Sequence, residues 1–315
     1  MAEYRPQLGA EEASADIDMT GKTAIVTGGS AGLGIETIRV LAKQGAKAVS
    51  VVRNLEKGQN AINSILESVP GADIDLVQLD LFDLESVKKG ADVIAAKYPK
   101  IDLLINNAGI MAAPLSRTRE GLDAHLGTNF LGHFVLTARL IDNVIAAAPA
   151  RIINLTSSAH RLSPLRFDDP FFEKEEYNKL AAYGQSKTAA VLFTIALDKR
   201  FRDRNVRATS VHPGLINTEL GRYFSEEEME FLQDGIPEGV EMKDVSQGAA
   251  TTVWAATTPE FDKLAGQFCE DCAVADRITD PDEDGRGVLP HALDEQAAER
   301  LWQLAQEWSG QTFRD

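Results

Sequence analysis

A tyrosine and a lysine four residues apart are the side chains of this sequence best suited to acid–base chemistry. They lie in Tyr183-Gly184-Gln185-Ser186-Lys187, near the start of a segment with helical spacing, so both face the same way. A free phenol has a pKa of roughly 10, too high for a base near neutrality. Two nearby cations in a dry cleft could lower that pKa by about 3 units, which takes on the order of 4 kcal/mol. Because this spacing is also common on ordinary helix faces, its weight depends on the surrounding motifs.

Polar residues follow two of the predicted strands. The cluster Thr156-Ser157-Ser158 ends the fifth strand, and Asn106-Asn107-Ala108-Gly109 ends the fourth. Parallel sheets bind ligands at the carboxyl ends of their strands, although serine caps and asparagine turns produce similar patterns. Asn129 lies inside a predicted long helix, where asparagine is a poor helix former, and this indicates a local role.

A glycine-rich turn joins the first predicted strand to the first helix, in Thr27-Gly28-Gly29-Ser30-Ala31-Gly32-Leu33-Gly34. Gly28 permits a tight turn, Gly32 lets the backbone approach a pyrophosphate, and Gly34 lets the helix pack closely on the strand. The helix N-terminus then offers free N–H groups to the anion. A glycine turn alone is a weak signal, but its place at the first strand–helix junction predicts dinucleotide binding.

The end of the second strand, Val51-Val52-Arg53-Asn54, indicates which dinucleotide is bound. An acidic residue there would bind the adenosine ribose hydroxyls and select NAD. Arg53 could instead grip a 2′-phosphate with its guanidinium, which favours NADP over NAD. The alternative is that Arg53 is an ordinary solvated surface residue.

Strands and helices alternate along most of the chain. Strands are predicted at 23–27, 48–52, 74–79, 101–105, 151–156 and 207–211, and helices at 33–44, 56–67, 84–96, 120–147, 180–201 and 293–308. This alternation predicts an α/β fold, a doubly wound parallel sheet of the Rossmann type. We expect an N-terminal arm at 1–20 and a single domain at 21–315, with a substrate-binding lid at about 222–241 and a C-terminal extension at about 269–315.

Composition excludes several classes of partner. The formal net charge is −16, from 32 Lys+Arg against 48 Asp+Glu, which disfavours nucleic acid and anionic lipid. Apolar runs are too short for a membrane span, and the first 20 residues lack a signal-peptide pattern, so a cytoplasmic location is expected. Cys269 and Cys272 could form a redox pair or half a zinc site, but their acidic neighbours favour inert thiols and no metal.

These motifs agree in order and spacing, and from about residue 22 to residue 268 the sequence resembles the short-chain dehydrogenase/reductase family. The segments around Arg53 and Ser158 resemble most its retinol-dehydrogenase-type branch. The acidic segment at 269–286 departs from that branch. The resemblance implies that Tyr183 exchanges a proton with the substrate oxygen, Ser158 hydrogen-bonds that oxygen, Lys187 lowers the pKa of Tyr183 and binds the nicotinamide ribose, and Asn129 positions a water.

The resemblance also implies a set of residues that contact the cofactor. Besides Tyr183 and Lys187 they are Gly28, Ser30, Gly32, Leu33, Gly34, Arg53, Asp80, Leu81, Asn107, Ala108, Gly109, Pro213, Gly214, Ile216 and Thr218.

The expected function is hydride transfer between NADP(H) and a carbonyl or alcohol, with no metal. Apolar residues at 222–232 are compatible with a bulky substrate such as a steroid, terpenoid or aromatic ketone. A small molecule is the expected partner, and a homodimer is the general default. Two alternatives are a catalytically idle dinucleotide-binding redox sensor and an epimerase or dehydratase, for which the chain after Gly214 is too short to form a substrate domain.

Overall fold

The computed structural model describes residues 3–216, 218–225, 227–228, 242–280 and 286–314. Its strands form one sheet in the order β3-β2-β1-β4-β5-β6-β7-β8. Neighbouring strands pair in parallel from β3 to β7, and β8 pairs antiparallel with β7. The strands are β1 Thr23–Thr27, β2 Lys47–Val52, β3 Ile74–Gln78, β4 Leu103–Asn106, β5 Ala150–Leu155, β6 Val206–His212, β7 Phe268–Glu270 and β8 Ala273–Val274.

Helices cover both faces of the sheet, as its apolar strands require. They are α1 Ala10–Ala13, α2 Gly32–Lys43, α3 Leu55–Ser68, α4 Leu84–Lys97, α5 Gly132–Ala146, α6 Lys179–Phe201, α7 Val245–Thr257 and α8 Glu295–Ser309. The side chains of successive residues of β1 pack into hydrophobic cores on opposite faces of the sheet. Ile25 packs with α4, α5, α6 and α8, while Val26 packs with α2, α3 and α7. The doubly wound parallel sheet in a single domain is therefore confirmed.

The predicted helix at 120–147 is wrong at its start. Asp123 accepts hydrogen bonds from the backbone N–H groups of His125 and Leu126, at 3.0 and 3.3 Å, so the helical segment begins after it. Its first part, Leu126–Leu131, is π-helical and leads into α5. A π-turn of this kind is rare and frequently marks a functional site, and here it contains Asn129.

Three elements near the C-terminus have no counterpart in the sequence predictions. The helix α7 begins with a capping box, in which the Asp244 and Gln247 side chains each accept the other's backbone N–H, and this was a recognisable signal. The strands β7 and β8 are joined by Asp271 and Cys272, which both have positive φ, 48° and 57°. Tight hairpin turns of this kind usually contain asparagine or glycine, so the sequence Asp271-Cys272 does not predict a turn.

The ends of the chain pack on the domain. Glu11, just after the start of α1, pairs with Arg39 and Lys43 of α2 at 2.6 Å each. At the other end, Trp302 of α8 and Phe313 stack with ring centroids 4.3 Å apart and contact aromatic rings of α5 and α6. In the part of the chain that the structure describes, no helix has the length and apolar character needed to cross a membrane.

Both cysteines are free and buried. Burial raises the pKa of the Cys269 thiol to about 12 and that of Cys272 to about 11. Both thiols therefore stay protonated and poorly nucleophilic at neutral pH.

Candidate active site

Tyr183 and Lys187 lie on one face of α6 and are almost completely buried. The helix begins at Asn178, whose side chain accepts the N–H groups of Leu180 and Ala181. The Lys187 Nζ lies 5.6 Å from the centre of the Tyr183 ring and donates to the Leu155 carbonyl at 3.2 Å. The structure thus brings together the two residues that the spacing predicts as a pair.

Burial opposes the charged form of both side chains. It raises the pKa of Tyr183 to about 12, against the lowering effect of a hydrogen bond with the Ser157 side chain. Burial also lowers the pKa of Lys187 to about 8. The protein alone therefore keeps the phenol protonated, and an additional positive charge in the cleft would be needed to make it a base near neutrality.

The serine whose side chain lies beside Tyr183 in this structure is Ser157, whereas the sequence prediction named Ser158. The Ser157 side chain lies near the Tyr183 hydroxyl and lowers its pKa, and it also accepts the N–H of Ala159 at 3.1 Å. Ser158 starts the 3-10 helix Ser158–Leu162, and its backbone N–H donates to Nδ1 of His212 at 3.2 Å. Adjacent residues of an extended segment point in opposite directions, so only one of two consecutive serines can face Tyr183.

Asn129 ties the loop after β4 to the helix that carries the tyrosine. Its amide accepts from the Ile110 N–H at 2.8 Å, donates to the Ile110 carbonyl at 3.0 Å and donates to the Ser186 hydroxyl at 2.9 Å. Both amide hydrogens are thus engaged by the protein, so in this structure the side chain positions a loop. A Cβ on Gly109 would lie 3.2 Å from Asn129 Oδ1 and 3.6 Å from Lys187 Nζ, which places Gly109 at the same site.

The glycine turn has the form that a pyrophosphate needs. Gly28 has φ +77°, and a Cβ there would lie 2.9 Å from Asn107 Nδ2 and 3.0 Å from the Ala108 Cα. The Thr27 hydroxyl accepts the N–H groups of Asn107 and Ala108 at 2.9 and 3.0 Å, and so joins the turn to the loop after β4. Because α2 begins at Gly32, the free backbone N–H groups of its first turn face the glycine turn.

Other expected cofactor contacts meet around the same turn. A Cβ on Gly32 would lie 3.6 Å from the Thr218 side chain. Leu33 and Ile216 both lie against Gly248 of α7, where a Cβ would be 2.7 and 2.6 Å from them. The remaining expected contacts on these loops are Ser30, Gly34, Pro213 and Gly214, all close in sequence to the turn or to Thr218. Most of the lid predicted at 222–241, namely 226 and 229–241, lies outside the described residues.

Arg53 and Asp80, expected at the adenosine end, line one cavity of about 480 Å³. Arg53 is exposed, and the Asp80 carboxylate accepts the Phe82 N–H at 3.0 Å. Leu81 is buried where α5 begins against it. The cavity lies at the carboxyl ends of β2 and β3 and is also lined by Gln78, Asp83, Ser86, Lys89, Gly90 and Val93.

Sequence reasoning missed two buried histidines that support the site. His133 bonds the Thr27 hydroxyl through Nε2 at 2.9 Å and the Asn129 carbonyl through Nδ1 at 3.1 Å. His212 accepts from Ser158 and, at 3.4 Å, from the Gly214 N–H. Neither has a distinctive spacing from its partners, because these contacts join separate strands and helices.

Known proteins are similar to this chain in sequence and in fold. The sequence pattern of the short chain dehydrogenases matches residues 22–229. The chain belongs to the short-chain dehydrogenase family. This short-chain dehydrogenase is 38% identical to a probable oxidoreductase of Streptomyces lividans, over 91% of this chain and 97% of that protein. It is 35% identical to human retinol dehydrogenase 12, over 94% of this chain and 88% of that protein.

Among solved structures, it resembles an uncharacterized protein of Mycobacterium paratuberculosis. The two are 29% identical with a TM-score of 0.74, covering 96% of this chain and 98% of the other. The resemblance to the retinol-dehydrogenase-type branch is therefore confirmed. This short-chain dehydrogenase is an oxidoreductase acting on CH–OH or C=O groups.

Proposed function

We propose that this dehydrogenase transfers a hydride between NADP(H) and a bulky apolar ketone, aldehyde or secondary alcohol. The observation that carries the proposal is the buried pair of Tyr183 and Lys187 next to Gly109, with the half-buried Ser157 beside Tyr183. Hydride transfer to a carbonyl needs a proton donor and a hydrogen-bond donor at the oxygen, and Tyr183 and Ser157 are both hydroxyl groups in contact with each other.

Each of the three side chains has a separate task. In reduction the Tyr183 hydroxyl gives its proton to the carbonyl oxygen, and in oxidation the phenolate takes the proton of the alcohol. Ser157 donates a hydrogen bond to that oxygen as negative charge develops on it. Lys187 lowers the pKa of Tyr183 by its charge. The bound nicotinamide supplies or accepts the hydride, and the glycine turn with the N-terminus of α2 would hold its pyrophosphate.

Arg53 supports the choice of NADP. Its side chain is exposed at the end of β2 and lines the cavity of about 480 Å³, where Lys89 is a second exposed cation. A guanidinium binds a phosphate group bidentately, while the bare ribose of NAD would leave it without an anionic partner. The nearby Asp80 carboxylate accepts a backbone N–H and is thereby stabilised in place.

The residues around the cleft support an apolar substrate. Leu115, Leu162 and Leu215 follow the carboxyl ends of β4, β5 and β6, which are neighbours in the sheet. Their exposed fractions are 46%, 55% and 37%. Three exposed leucines on loops that follow neighbouring strands are compatible with a surface that meets an apolar ligand.

Two further proposals rest on general grounds. The acidic composition supports neither nucleic acid nor anionic membrane as a partner, and the short apolar runs are compatible with a cytoplasmic location. A homodimer is the commonest form among soluble homo-oligomers in general, and sedimentation of the purified chain tests it.

The proposed function is tested with a panel of carbonyls and alcohols, followed by nicotinamide absorbance with both cofactors. Tyr183→Phe should abolish turnover and leave cofactor affinity nearly unchanged, because only the ionisable oxygen is lost. Ser157→Ala should lower kcat by about 10²–10³-fold, the effect of losing one donor to a developing oxyanion. Ser158→Ala is the matched control and should retain nearly full activity, since its backbone N–H is unchanged. Normal turnover in Tyr183→Phe would refute the proposal.

A further inference from the structure

One imidazole nitrogen joins two loops of the site. The Nδ1 of His212 accepts the N–H of Ser158 at 3.2 Å and the N–H of Gly214 at 3.4 Å. The first donor adjoins Ser157, which contacts the catalytic tyrosine, and the second lies in the Pro213-Gly214 segment expected at the nicotinamide end. Ser158 and Gly214 follow different strands, β5 and β6, so no local chain geometry holds them together.

The surroundings of His212 keep this nitrogen available as an acceptor. The residue is the last of β6, opposite Glu270 of β7, and its ring packs beside that of Phe268 with centroids 6.4 Å apart. Burial lowers the pKa of His212 to about 3, so the ring is neutral under ordinary conditions. A neutral imidazole has one acceptor nitrogen, and two donors on Nδ1 place the proton on Nε2.

The two N–H groups depend on this acceptor. Both hydrogen bonds are partly buried, and His212 itself is 6% exposed. A partly buried N–H that loses its acceptor carries a desolvation cost, which the chain relieves by moving the loop. Gly214 has a φ of +96°, a conformation that glycine adopts without steric cost.

We propose that His212 is a positioning residue. It fixes the loop that contains Ser157 and Ser158 relative to the Pro213-Gly214 segment. This inference rests on the proposed function, in which those two loops meet the substrate oxygen and the nicotinamide. His212 acts through Ser157 and Gly214 and does not itself transfer a proton. It therefore couples binding of the nicotinamide half of the cofactor to the placement of the catalytic hydroxyls.

Two substitutions of His212 separate the effect of the hydrogen-bond acceptor from the effect of filling the position. In His212→Asn the side-chain Oδ1 takes nearly the position of Nδ1 and has two lone pairs for the two N–H groups. In His212→Leu the position stays apolar and filled, but no acceptor remains. Val211→Ala is the control for weakened packing, because Val211 is the fully buried neighbour of His212 in the same strand.

The first measurement is a fluorescence titration of each full-length variant with NADPH and with 2′,5′-ADP, which lacks the nicotinamide half. His212→Leu should weaken NADPH binding by about tenfold, the effect of losing partly buried hydrogen bonds, with 2′,5′-ADP affinity unchanged. His212→Asn should restore NADPH affinity to nearly the wild-type value. The same comparison can be made with NADH and 5′-AMP in place of NADPH and 2′,5′-ADP, so the outcome does not depend on which cofactor the enzyme prefers.

The second measurement is kcat with the best substrate of the panel, which should fall in His212→Leu, recover in His212→Asn and stay unchanged in Val211→Ala. Equal defects in His212→Leu and His212→Asn would overturn the inference, since ring packing and not the acceptor would then matter. Wild-type affinities in His212→Leu, or an equal loss of 2′,5′-ADP binding, would also overturn it. A wild-type chain that binds the dinucleotide without turnover would refute the proposed function, while the titration would still decide the role of His212.

Discussion

Glu270 makes the stability of this enzyme depend on pH in a direction opposite to that of ordinary surface carboxylates. The residue lies in β7 and is 3% exposed. Burial raises its pKa from 4.5 to about 7, although its carboxyl accepts the Gly287 N–H at 2.6 Å. The folded chain therefore binds a proton at Glu270 more tightly than the unfolded chain does.

The sign and size of the effect follow from this difference. Below pH 4.5 the carboxyl is protonated in both states and its contribution to stability is fully present. As the pH rises through about 7, the folded state has to bury a charge and that contribution is lost. The difference between the two pKa values corresponds to about 3 kcal/mol. Glu270→Gln keeps the acceptor for Gly287 without the charge and removes this loss.

The assay is urea unfolding of the wild type and of Glu270→Gln at several values between pH 5 and pH 8.5. The free energy of unfolding of the variant, relative to wild type, should rise by about 3 kcal/mol from the acidic to the alkaline end. Glu67→Gln, on the exposed side of α3, controls for the loss of one carboxylate. Parallel curves for the wild type and Glu270→Gln would show that the buried carboxyl is solvated or paired well enough to ionise normally.

Three other predictions concern the cofactor, the base and the C-terminal helix. Arg53→Ala should weaken NADPH by about ten- to a hundredfold and NADH little, and a wild-type preference for NADH that this variant leaves unchanged would contradict the assignment. In the wild type, kcat/KM for alcohol oxidation should rise with pH as Tyr183 ionises. Lys187→Met should move that rise to higher pH, because removing a cation raises the pKa of a phenol. A pH profile that does not move would assign the titration to another group. Trp302→Ala should lower the free energy of unfolding by about 3–5 kcal/mol with kcat retained in the folded fraction, and an effect below about 1 kcal/mol would mean that the aromatic cluster repacks easily.

The sequence by itself determined the features that depend on neighbours along the chain. The apolar run Thr23–Thr27 and the glycine turn after it were sufficient to predict a strand, a helix and the turn between them. Tyr183 and Lys187 share a helix, so their spacing alone placed them on one face. These predictions succeed because the repeat of a strand or a helix and the conformational freedom of glycine are local properties of the backbone.

The tertiary structure decided which of two adjacent serines faces the tyrosine, and what Asn129 and the histidines do. Ser157 meets Tyr183 across the gap between β5 and α6, and one backbone step would exchange it for Ser158. His212 lies 54 residues from Ser158, and its contact exists because β5 and β6 are neighbours in the sheet. No period or propensity encodes such contacts, since they depend on the order and register of whole strands and on the burial that removes water from between them.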